Sequence, residues 1–370
     1  MNYVILLSIL LSVGFLYNRY NKKLDREIST ENYDAIRKYL LNDFGDDMEN
    51  GKIKKPIMWI HLNYEYNSRD WASFGSRTSI NLNQPYLYLT ANSIINQCGD
   101  DFHICFIDDG AFSTLLPEWN IKMNHISDPV KKNIRDLGMA KLLYKYGGIR
   151  VPVSFVCMRN LIDMYNTGTK HNNAFICETL DRNVTSTHYD FYPNIEFMGA
   201  PPNCRVMGNL VDFMQRTISR DYTSQSVFLG DFNRWCNTGI TKGRITMIEG
   251  KLIGVKTMEN EEITIDTLLS NEYIDLYSNA YGIYIPADEL LKRTKYEWFI
   301  RMSPTQVLES TLIISKYLLL ANAPDAKEGV IKPVKQKEDW ISFWRVPSGA
   351  PVWGLKPVDL GNNVPKMTYP

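Results

Sequence analysis

The stretch from 129 to 157 constrains the fold more than any other part of the chain. Asp128 is a good helix cap, Pro129 suits the first helical position, and Ile134, Leu137, Leu142 and Leu143 form an apolar stripe. This spacing predicts a helix over about 129–146. No loop follows it. Gly147-Gly148 leads at once into IRVPVSFVC, where Ile149, Val151, Val153 and Phe155 alternate as a strand does. Gly147 stands where a helix end commonly needs a left-handed backbone, and Gly148 must turn the chain directly into a buried strand. Helix and strand joined this tightly belong to a layered α/β fold. Pro152 removes one backbone donor, which predicts an edge or a bulge.

Other segments extend the pattern. PIMWIHL at 56–62 and FHICFID at 102–108 read as buried strands, and between them Pro85 opens a helix carrying Leu87, Ile94 and Ile95 that stops near Gly99. Val206, Leu210, Phe213, Met214 and Ile218 describe a further amphipathic helix, and Ser303-Pro304 starts a strongly apolar one through Leu320. From this we divide the chain into 1–24, an apolar segment with a basic flank; 25–55, a stalk helix and linker; 56–321, one α/β domain; and 322–370, a wrapping tail. The tail holds seven of the 17 prolines, together with Trp340, Trp344 and Trp353, which suits an extended segment lying in grooves of its own domain or of a protein partner.

Charge and cysteine usage narrow the classes. Lys plus Arg and Asp plus Glu both number 41, so no basic face for nucleic acid is indicated. The six cysteines lack C-x-x-C spacing and read mostly as buried thiols, although their even number leaves disulfides open. Residues 3–17 are uncharged and almost wholly apolar. A short anchor, an interfacial helix and a secretory segment all fit that length; the absence of a basic start and of a small-x-small site favours an uncleaved membrane anchor. Arg19, Lys22, Lys23 and Arg26 follow the apolar run, so the positive-inside rule places the domain on the cytosolic side, and the sequon at Asn183 reads as a chance match.

The segment IRDLGMAKLLYKYGGIRVPVSF resembles the sugar-binding region of the DXD-type glycosyltransferases related to family 32. Asp136 falls on that family's helix aspartate, Leu143, Tyr144 and Tyr146 on its apolar and aromatic positions, and Gly147-Gly148 on its glycine pair. PIMWIH, FHICFIDD and FMGAPPNCRVMGNLVDFM agree more loosely, and together these stretches cover about half the chain. The resemblance implies a GT-A-like nucleotide-diphospho-sugar transferase fold, a mixed sheet flanked by helices, with a nucleotide sugar as ligand and Mn²⁺ or Mg²⁺ held by two DXD carboxylates. The helix, Gly-Gly turn and P-x-S-F-(I/V)-C strand also resemble, more weakly, uncharacterised proteins of large DNA viruses of eukaryotes; that resemblance implies a virion or virus-factory membrane.

The DXD positions here are Pro152 and Ser154, and the family's tyrosine is Arg150. Neither proline nor serine replaces a pair of anionic ligands for a hard cation, so no metal ligand is assigned. Two functions follow. One is a membrane-anchored glycosyltransferase-like protein, metal-independent or catalytically degenerate; the other is a non-enzymatic virion or membrane interaction protein reusing the scaffold. Candidate substrate-binding residues are Gly147 and Gly148 at the turn, and Asp136, a hydroxyl acceptor or else a surface carboxylate pairing with Lys132 or Lys141. Arg150 is the nearest cation for a leaving group or else a structural arginine; Arg150→Ala is expected to leave stability nearly intact and to remove nucleotide-sugar binding only if that side chain takes over the metal's role. Asp108 and Asp109 end a strand where ligands bind in open sheets but also spell an ordinary turn, the favoured reading; His61 closes the first strand within reach of a nucleotide. His103, His125, His171 and His188 show no metal spacing.

Overall fold

The computed structural model describes residues 48–49, 52–53, 55–62, 84–127, 130–182, 184–220 and 230–323. The apolar segment at 3–17, the stalk helix, Asp128-Pro129, Asn183 and the tail with its tryptophans lie outside them. Met48–Glu49 and Lys52–Ile53, within the expected linker, pair antiparallel.

A mixed six-stranded sheet forms the centre. Its strands are β1 (Ile57–His61), β2 (His103–Ile107), β3 (Gly148–Arg150), β5 (Ala174–Leu180), β6 (Phe191–Ala200) and β7 (Ile245–Ile248), in the order β2-β1-β3-β6-β5-β7. β1 runs parallel to β2 and β3, and β5 parallel to β7, while β6 is antiparallel to both its neighbours. β1 shows why these strands read as unbroken apolar runs: Ile57 and Trp59 enter the core on one face, Met58 and Ile60 the core on the other. Helices α2 (Val130–Tyr146), α3 (Arg205–Ile218) and α4 (Asp231–Thr241) cover the first face, and α1 (Leu87–Cys98) the second. A third cluster joins the start of α1 to residues 263–321. All six cysteines are buried and free, and Cys98 Sγ lies 3.7 Å from Cys157 Sγ.

The helix–glycine–strand unit folds as its sequence predicts up to Arg150. Gly147 has φ +70° and Gly148 φ +103°; the carbonyl of Gly147 accepts the indole N–H of Trp59 at 2.9 Å, which ties the turn to β1. Beyond Arg150 the expected continuous strand does not form. The chain leaves the sheet at Val151-Pro152, turns, and resumes as β4 (Phe155–Cys157), which pairs antiparallel with β8 (Gly282–Tyr284) in a separate two-stranded sheet. Pro152 cannot donate to a ladder, so a clean exit from the sheet replaces the expected bulge.

A second expectation also changes. The apolar helix from Ser303 to Leu320 is two helices, Pro304–Glu309 and Ile313–Ala321. Ser303 and Gln306 form the expected cap as a full capping box, but Ser310 is extended at ψ 157°. Its hydroxyl donates to the Val307 carbonyl at 2.9 Å and lies 2.6 Å from that of Ser315, the local side-chain competition that interrupts helices. Among the described residues no helix is long and apolar enough to cross a membrane.

Candidate functional site

The parallel strands β1, β2, β3 and β5 end on one edge of the sheet, and the N-terminal half of α2 lies across that edge carrying Lys131, Lys132, Arg135 and Asp136. Lys131 and Arg135 meet the end of β2, Asp136 the end of β3, and Lys132 reaches β6. At the end of β2, Asp109 accepts two bonds from Arg135, Nε to Oδ1 at 2.7 Å and the second amino nitrogen to Oδ2 at 2.8 Å. Lys131 Nζ stands 3.4 Å from the same carboxylate, and His61 Nε2, at the end of β1, lies 3.1 Å from its Oδ1. Burial acts to raise the Asp109 carboxyl, but the bond to His61 and the bonds and charge of Arg135 outweigh it and hold the group well below the ordinary carboxylate range. Asp108 caps the following turn, accepting from the Ala111 amide at 3.0 Å. The turn reading of Asp108-Asp109 therefore describes Asp108, whereas Asp109 anchors α2.

One helical step on, Arg150 donates to Asp136 Oδ1 at 2.7 Å and to the Ile195 carbonyl at 3.2 Å. Asp136 is buried, so it is neither a surface carboxylate nor a partner of Lys141. Burial pushes its carboxyl up, against the pull of Arg150 and then Lys132. The two residues singled out as separate ligand contacts thus face each other, and Arg150 spends its charge inside the protein.

Lys132 continues the row into a cleft. Its ammonium lies 2.8 Å from Glu196 Oε1 on β6 and 2.6 Å from Asp288 Oδ2, and the Tyr284 hydroxyl donates to the other Glu196 oxygen at 3.0 Å. The charge of Lys132 outweighs burial and, with the bonds from Lys132 and Tyr284, brings the Glu196 carboxyl down to about 2. Glu196 in turn is the main cause that raises Lys132, so the pair is ionised throughout the neutral range. The cleft has a volume of about 550 Å³ and is lined by α2, the start of β6, the loop after β5, residues 230–233 and the short helix Ala287–Lys292. Asp136 reaches its wall; the remaining candidates, His61, Asp108, Asp109, Gly147, Gly148 and Arg150, do not line it.

The two DXD positions offer nothing to a divalent cation. Ser154 is buried, and its hydroxyl donates to the Ile285 carbonyl at 2.6 Å, joining the segment after β3 to the end of β8. Pro152 supplies no oxygen ligand from its side chain. Hard cations need several such oxygens, so these residues do not fit Mn²⁺ or Mg²⁺. Among the described residues no three His, Cys, Asp or Glu side chains come together in a metal-holding group.

Sequence reasoning missed Lys132 as a site residue, and Glu196, Tyr284 and Asp288 altogether. Glu196 carried a readable signal, an acidic residue inside the apolar run Ile195, Phe197, Met198. Tyr284 and Asp288 carried none, because they reach the cleft only through the pairing of β8 with β4. Comparison with protein-family models, with curated proteins and with solved structures gives no match for this chain.

Proposed function

We propose that the chain is a glycosyltransferase-like module that recognises a nucleotide sugar in this cleft, with transfer either independent of metal or lost. The observation that carries the reading is the convergence of Asp136 from α2, Glu196 from β6 and Asp288 from the helix at 287–292 on one cleft of about 550 Å³. Open α/β sheets bind ligands outside the carboxyl ends of their strands, and this volume falls within the range that encloses a small organic ligand. Ionised carboxylates accept hydrogen bonds from sugar or ribose hydroxyls.

The mixed sheet with helices on both faces and the Gly147-Gly148 turn agree with the GT-A-like architecture that the resemblance implies. Recognition is favoured over metal-assisted transfer because Lys132 already pairs with Glu196 and Asp288, and Arg150 with Asp136. In this reading residues 1–24 anchor the protein, with the domain on the cytosolic side. Attachment of a glycan at Asn183 in cells would show the opposite orientation.

Calorimetric titration of the full chain with a panel of nucleotide sugars, with and without Mn²⁺, tests the function. Binding of at least one donor with an affinity unchanged by Mn²⁺ is expected. No heat with any donor, or binding only when Mn²⁺ is present, would refute it.

A further inference from the structure

The cleft is electrically divided. At its inner end Lys132 and Arg150 face three carboxylates, Asp136, Glu196 and Asp288, so the balance is negative and an anion gains nothing by entering. At its mouth the balance reverses. Glu289 accepts from Arg182 Nε at 3.1 Å on one oxygen and forms an ion pair with an Arg293 amino nitrogen 2.8 Å from the other, and Lys292 lines the cleft beside them. Arg182, Lys292 and Arg293 stand there around Glu289; of the other carboxylates lining the cleft, Asp231 is paired with Arg234 and Asp181 is buried beside Arg182, so the cations exceed the carboxylates by one.

The construction of the mouth matters as much as its charge. Arg182 comes from the loop directly after β5 and Arg293 from the end of the helix Ala287–Lys292, so two separate elements deliver guanidinium groups to one point. Glu289 is 14% exposed and holds both, whereas Arg182 is 46% and Arg293 56% exposed, which leaves donors on each free for a ligand. Planar guanidinium groups match the oxygens of a phosphate two at a time, and holding them in advance reduces the entropy lost on binding. The same short helix carries Asp288 towards Lys132 and Glu289 towards Arg182, so one rigid piece joins the two ends.

We infer that the Arg182–Glu289–Arg293 fork, with Lys292, is a binding site for a phosphate or diphosphate group. This rests on the proposed function only in assigning the diphosphate of a nucleotide sugar to the mouth and the sugar hydroxyls to the carboxylate end; the anion site itself stands on the fork. The role of leaving-group cation expected of Arg150 passes to Arg182 and Arg293, because Arg150 is closed off by Asp136 and the Ile195 carbonyl.

The test is calorimetric titration of the full chain with inorganic pyrophosphate, inorganic phosphate and nucleotide sugars, for wild type, Arg182→Gln, Arg293→Gln, the double variant and Lys242→Gln. Pyrophosphate should bind the wild type and weaken with rising salt. Each single arginine variant should lose about tenfold in affinity and the double variant at least about thirtyfold, with melting temperatures unchanged since both side chains are half exposed. Lys242→Gln, at an exposed lysine that does not line the cleft, should leave pyrophosphate affinity within about twofold. Pyrophosphate that does not bind the wild type at millimolar concentration, or that binds the double variant equally well, overturns the site. Pyrophosphate binding at the fork without binding of any nucleotide sugar upholds the anion site and removes the proposed function. Phosphate binding as tightly as pyrophosphate upholds the site and points to a free anion or monoester as its ligand.

Discussion

Replacing Gly148 by alanine asks how much of the fold depends on the turn out of α2. Gly148 has φ +103°, and a Cβ built there would lie 2.0 Å from the carbonyl oxygen of Ile57 and 2.9 Å from its carbon. Those are backbone atoms at the start of β1, a central strand, and cannot swing aside as a long side chain can. Backbone strain alone costs about 1–3 kcal/mol at such a residue. Pushing β1 and β3 apart adds about one or two ladder hydrogen bonds, each worth about 1 kcal/mol. The total of about 2–5 kcal/mol corresponds to a fall of roughly 10 °C in melting temperature for a domain of this size.

Gly243 supplies the control. Its φ is +65°, yet a Cβ there would have nothing within 4 Å, so Gly243→Ala carries the strain without the collision. Thermal unfolding of the full chain followed by circular dichroism should place Gly148→Ala well below Gly243→Ala, with Gly147→Val close to the former, since its Cβ would meet Pro202 at 2.6 Å. If Gly148→Ala melted together with Gly243→Ala, the close passage of β3 beneath Ile57 would be wrong. The alignment that puts Pro152 and Ser154 on the DXD positions would fall with it.

Three further outcomes are expected. Arg150→Ala should destabilise by about 3 kcal/mol in denaturant unfolding, because it strands the buried Asp136, and Asp136→Asn in the same chain should recover part of that loss; an unchanged midpoint for Arg150→Ala would count against the pair. Lowering the pH should remove the contribution of Glu196: its carboxyl is depressed from 4.5 to about 2, so the stabilisation is complete above the upper value and drains away as the pH falls towards the lower one. In Glu196→Gln that part of the acid transition should flatten, and an identical acid profile would refute the ionised pair. Restoring carboxylates with Pro152→Asp and Ser154→Asp should create no Mn²⁺ site and should lower stability, because position 154 faces the Ile285 carbonyl; Mn²⁺ binding by this variant in electron paramagnetic resonance would show that the segment can turn outward.

Where one residue's local chemistry dictated the structure, the sequence was a good guide. The glycine pair, the Ser303 capping box and the two-sided apolar runs of β1 and β2 are of this kind, since backbone conformation, cap and burial follow from neighbours along the chain. Where the outcome depended on distant partners, the sequence was silent or misleading. Asp136 looks like a surface carboxylate until Arg150 is placed beside it, and Pro152 signals trouble in a strand without saying that the chain crosses to a second sheet. The Ser310 break hides inside an apolar run because two hydroxyls, Ser310 and Ser315, decide it. The inner end of the cleft was legible only through Asp136; Glu196, Tyr284 and Asp288 meet there by topology.

The row of charges along α2 bears on how any site in this protein can be mapped by substitution. Lys131, Lys132, Arg135 and Asp136 occupy little more than one helical turn, yet they clamp the helix to the ends of β2 and β3, to β6 and to the helix at 287–292. Removing any one clamp frees the same rigid rod to tilt, so an alanine at Arg135, remote from the cleft, can mimic the loss of a contact within it. Scanning this row one residue at a time would therefore score every member as important and distinguish none. Paired substitutions that remove both halves of a clamp, such as Arg135 with Asp109, would separate residues that steady the helix from those that meet a ligand.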